Sequence, residues 1–133
     1  MKSARIVAFF LVALAAVALC SCATKPAVIP EGLSAAEIFQ RAQDAADRND
    51  FALGISYYSL VEKSFPDDKD HIAWASYEIA FLYHKMGQND LALKLANELL
   101  ARYAAAGDTL PAAPQVLAQN LKKRLEAESP PAH

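Results

Sequence analysis

Two stretches of this chain, RNDFALGISYYSLVEKSFP (48–66) and MGQNDLALKLANELLARYA (86–104), match position for position at a constant offset of 38 residues. The match sets Gly54 against Ala92, Tyr58 against Ala96 and Val61 against Leu99. Apolar residues recur three and four apart in both, the period of an amphipathic helix. A pattern repeated as a unit restricts the chain to architectures in which each unit buries its apolar face against its neighbour. With 133 residues, 54% of them hydrophobic, the chain has room for one small domain or a few such units.

The punctuation between the periodic segments sets the helix count. In LSAAEI, Ser34 can cap a helix, Glu37 can reach back to it, and Leu33 can staple against Ile38. A first helix follows to about Asp47 and stops at RND. A second runs from about Asp50 to Ser64, ahead of Pro66. A third covers about Asp70 to Met86 and ends at Gly87, suited to a left-handed cap; a fourth covers about Asn89 to Ala105. GDTLPAA reads as a loop. PQVLAQNLKKRLEAE then gives a fifth helix, Pro114 to Glu128, with Val116, Leu117, Leu121 and Leu125 as its apolar stripe. Lys122, Lys123 and Arg124 fall near its C-terminus, where the helix dipole favours positive charge.

These hairpins resemble the tetratricopeptide repeat (TPR), a helix–turn–helix unit with small residues at the helix crossing and proline after the second helix. Ala42 and Ala80 match the small position of the first helix, and Gly54 and Ala92 that of the second. Ile79, Tyr83, Leu99 and Leu100 match apolar positions, and Pro66 the closing proline. Ser76, where the family favours a large aromatic, and Arg41, where it favours leucine, depart from the pattern. The fold expected is all-α: two TPR-like helix–turn–helix hairpins (34–66 and 70–105) in a right-handed α-solenoid, closed by a capping helix (114–128).

Ahead of the repeats, MKSARIVAFFLVALAAVALCSCATKP has Lys2 and Arg5, an apolar run from Ile6 to Leu19, and then small residues, the profile of an export signal. LCSC resembles the lipobox of bacterial lipoproteins, which implies a signal peptide over 1–21 and acylation of Cys22. Several acyl chains, each methylene contributing about 0.8 kcal/mol, would hold the domain to a membrane surface. That covalent lipid is the sole cofactor expected. The remaining chain would have no free thiol. Without Lys2 and Arg5 it carries 11 basic and 15 acidic side chains, a net charge of −4. Nucleic acid is not an expected partner. Residues 22–33 read as a lipidated tether and 129–133 as a disordered tail.

WASYEIAFLYHKMG puts apolar residues on more than one face of the third helix. Trp74, Tyr77, Phe81 and His84 follow at steps of three, four and three, and Phe39 stands in repeat one where Tyr77 stands in repeat two. The TPR resemblance implies that this face lines a concave groove. The five residues are therefore the candidate protein-binding surface; the competing reading is that they are core, buried under the fifth helix or against the first helix of repeat one. Asp67, Asp68, Asp70 and His71 in PDDKDH suit a helix cap better than a calcium loop, which needs alternating oxygen donors and a glycine bend. No nucleophile pattern, phosphate loop or paired-carboxylate motif is present, so no catalytic or metal-binding residue is assigned.

The function expected is that of a non-enzymatic, lipid-anchored adaptor or scaffold. It would face the periplasm of a bacterial envelope, preferably at the outer membrane, and hold an envelope protein or peptide in its groove. The segment from Leu33 to Pro66 also resembles the opening repeat of the TPR lipoprotein of the β-barrel assembly machinery. Two alternatives remain: a binding protein for a small or hydrophobic ligand beside a periplasmic transporter, and a homodimeric structural module.

Overall fold

A computed structural model of the chain describes residues 29–128. Its helices are α1 (Ala35–Asp47), α2 (Phe51–Ser64), α3 (Lys69–Lys85), α4 (Asn89–Ala106) and α5 (Ala112–Glu128), with a 3-10 turn at Gly107–Thr109. The segments read as signal peptide (1–21) and tail (129–133), Cys22, and most of the segment read as tether lie outside the described residues. Among those described, no helix is long and apolar enough to cross a membrane.

The first three helix starts each have a side-chain cap. At α1 the capping box forms in full: Ser34 N donates to Glu37 Oε2 at 2.9 Å and Glu37 N donates to Ser34 Oγ at 3.3 Å. Asp50 caps α2 by accepting from Leu53 N at 3.1 Å. Asp68 caps α3 by accepting from His71 N at 3.1 Å, so α3 starts one residue before the expected Asp70.

The turns inside the two hairpins are copies. Asn49 (φ 61°) and Gly87 (φ 74°) both take left-handed backbone. Asp50 N bonds Ala45 O and Gln88 N bonds Tyr83 O, both at 2.9 Å, while Asn49 N and Gly87 N bond Ala46 O and His84 O. Paired bonds of this kind satisfy the last carbonyls of the first helix of each hairpin and reverse the chain within three residues.

Packing follows the 38-residue offset. Ala42 and Ala80, Gly54 and Ala92, Tyr58 and Ala96, and Val61 and Leu99 are all buried. The small ones among them, Ala42, Gly54, Ala80 and Ala92, let the helices of a hairpin approach closely. One core joins α1, α2 and α3 around Ile38, Tyr58 and Val61; further clusters join α3, α4 and α5 around Leu99, Leu121 and Leu125. A fully buried side chain such as Ile38 or Leu125 contributes about 2 kcal/mol. The result is an all-α stack of two hairpins, solenoid-like, in which α3 touches both units and α5 lies against the second.

Three local expectations change. Helix α5 begins at Ala112 rather than Pro114, because proline fits the first turn, where no partner for its missing N–H is needed. Its buried face is Pro114, Ala118, Leu121 and Leu125, while Val116 is 51% exposed: the large apolar residue was misread as core and the small alanine was the contact. The end of the presumed tether is not free, since Ile29 and Leu33 pack against the first core.

An open aromatic groove as the candidate functional site

All five candidate residues are half-buried. The structure divides them between two surroundings. Tyr77 and Phe81 stack with ring centroids 6.1 Å apart and interplanar angle 18°, and both pack against the cluster containing Leu121 and Leu125 of α5. His84 lies 6.4 Å from the Phe81 ring and donates from Nδ1 to Asn89 Oδ1 at 2.9 Å, tying the end of α3 to the start of α4. For these three the capping helix and the second hairpin supply neighbours, as the core reading requires.

Phe39 and Trp74 are placed differently. With Ala36, Gln40, Gln43, His71 and Glu78 they line an open groove of about 650 Å³ between α1 and α3. The Phe39 ring meets Tyr58 edge-on at 5.1 Å and His71 at 5.4 Å, which fixes the groove's α1 wall on the core beneath it. His71 is held in turn, because its Nδ1 donates to Asp68 Oδ2 at 2.7 Å.

Helical geometry explains the split. At about 100° per residue, steps of three and four turn the stripe about 60° one way and 40° back, so Tyr77, Phe81 and His84 all lie to one side of Trp74, and His84 ends about 80° from it. His71, Trp74 and Glu78 form one row, and Tyr77, Phe81 and His84 the next. Glu78 was not singled out from the sequence, and His71 was noticed only for its neighbouring aspartates. The signal that would have found both is their spacing of minus three and plus four from Trp74.

Charge at the groove is sparse and negative. Burial raises the Glu78 carboxyl above its ordinary value, and no hydrogen-bond or ion-pair partner among the described residues offsets it. Asp68 is lowered, chiefly by the hydrogen bond from His71 N. Burial raises Tyr77, and Glu78 adds to the effect while Arg124 opposes it. Asp68 and His71 serve as a cap, and among the described residues no group of three or more potential ligands could hold a metal ion. Such a surface can stack, exclude water and accept hydrogen bonds.

A second set of openings lies on the opposite side of α3. Ser76 borders slots of about 130 Å³, with Ile79, Leu95 and Leu99, and about 100 Å³, with Tyr58, Ile72 and Ala75. Glu62 and Arg102 pair across this face at 3.5 Å. Comparison of the chain with protein-family models, with curated proteins and with solved structures gives no match.

Proposed function

We propose that the protein is a lipid-anchored helical-repeat adaptor of a bacterial envelope that holds an extended segment of another envelope protein in the groove between α1 and α3. The observation that carries this reading is the position of Phe39 and Trp74 on facing walls of an open groove, while α5 covers their neighbours Tyr77 and Phe81. Half-exposed rigid aromatics give large contact area at little cost in side-chain entropy. An open trough suits an extended chain better than a small molecule, which is held in an enclosed pocket.

The resemblance to TPR lipoproteins supplies the compartment. With acylation at Cys22, the seven chain steps to Ile29, which packs on the domain, allow a reach of about 25 Å. The groove would then work close to the membrane surface, on partners embedded in it or lying against it.

Site-specific photo-cross-linking in intact cells tests the proposal. A cross-linking residue at position 39 or 74 is expected to give a discrete adduct with one envelope protein, and none at position 116 on the outer face of α5. Absence of an adduct from both groove positions would overturn it.

A further inference from the structure

The groove contains one carboxylate, Glu78, for which the described residues supply no hydrogen-bond or ion-pair partner. Glu78 is half-buried on α3, one turn after Trp74, and faces the same space as Phe39. Removing a carboxylate from water is costly unless a cation or several donors meet it. Among the described residues no lysine or arginine lines the groove, and His71 is already engaged by Asp68. The remaining polar walls, Gln40 and Gln43, add amide carbonyls that accept hydrogen bonds. Aromatic faces, a carboxylate and carbonyl acceptors make a surface complementary to a cation.

Of the natural cations, arginine fits this arrangement best. Its planar guanidinium can stack on an indole while its N–H fork meets a carboxylate, whereas the compact, strongly hydrated ammonium of lysine does only the second well. We infer that the groove takes an arginine side chain of the bound segment, its guanidinium laid on Trp74 and its N–H groups on the carboxylate of Glu78. This rests on the reading of the groove as a peptide site and specifies which peptides it accepts.

Trp74 is the only tryptophan, so its emission reports on the groove directly. The full chain in a non-ionic detergent would be titrated with the blocked pentapeptide Gly-Ala-Arg-Ala-Gly and with its citrulline counterpart, which has the same shape without the charge. The arginine peptide is expected to perturb Trp74 with about tenfold higher affinity, a preference that shrinks as salt is added. Glu78→Gln should abolish the preference while keeping wild-type helicity and thermal transition or better, because it removes an unpaired buried charge. Equal binding of the two peptides overturns the inference but leaves the peptide-groove reading intact. A preference that survives in Glu78→Gln, or no saturable change up to about 20 mM of either peptide, also overturns it. The cross-linking experiment judges the groove reading separately.

Discussion

Gly54 on α2 faces Leu82 on α3 so closely that a Cβ at position 54 would stand 3.0 Å from Leu82 Cδ1 and 3.2 Å from the carbonyl oxygen of Ala42. Three helices therefore meet at one missing side chain. The leucine end can swing aside, but the α1 backbone cannot. Gly54→Val is expected to lower stability by about 3 kcal/mol through forced separation of the helices. Gly54→Ala should cost less, because its better helix propensity, about 1 kcal/mol, offsets part of the crowding. Denaturant unfolding of the two variants checks the order.

Ser76 holds the position in the second hairpin that the fully buried Ile38 holds in the first, 38 residues earlier. Its hydroxyl donates to Ile72 O at 2.8 Å, and open slots flank it. Ser76→Ile is expected to fill that space and raise stability by about 1 kcal/mol. A lower unfolding temperature would mean that the slots are too shallow to take the added carbons.

Leu125 is 1% exposed and anchors α5 on the second hairpin. Leu125→Ala should cost about 3 kcal/mol, from lost burial and the cavity left behind. If α5 works as a cap, loosening it also uncovers Tyr77 and Phe81, so binding of a hydrophobic dye should rise before global unfolding. A loss of stability without that early rise would make Leu125 an ordinary core residue.

The pH dependence of stability carries two opposite signs. Glu78 is raised on folding by burial, so its contribution to stability is fully present below the ordinary glutamate value and is lost as pH rises through the raised one. Glu37 and Asp68 are lowered, the first chiefly by the Ser34 side chain and the second by the His71 backbone N–H. Their contributions are present above the ordinary carboxylate range and are lost as pH falls. Glu78→Gln should therefore match wild type at about pH 4 and melt at a higher temperature at about pH 7. An unchanged gap across that range would contradict the assignment of Glu78 as an uncompensated charge.

The architecture was readable because its punctuation is local. Ser34 with Glu37, Gly87 and the buried Gly54–Ala92 pair are single-residue signals that do not depend on distant contacts. Asn49 shows the boundary of that legibility: asparagine tolerates left-handed backbone without requiring it, and only the 38-residue register with Gly87 identifies its role. The face of α5 was misread because Val116 is larger than Ala118, while the distance between helices, a tertiary quantity, decides which of them packs.

The aromatic stripe was legible as composition but not as geometry. Its residues are all half-buried, yet which of them meet α5 and which stay open depends on how far α5 extends over α3. No spacing within α3 contains that information. Glu78 was passed over for a related reason: a lone glutamate on a helix is ordinarily solvated, and the half-burial of this one beside the groove is a tertiary property that no local pattern shows.

Oxidative footprinting most directly tests whether the groove between Phe39 and Trp74 is a working site. The full chain would be exposed to hydroxyl radicals in intact cells and again after purification, with the 40% exposed Met86 as internal standard. An occupied groove predicts that Trp74 and Phe39 are shielded in cells and become reactive on purification, while Met86 is modified equally in both. Equal reactivity of Trp74 and Phe39 in the two preparations would contradict it.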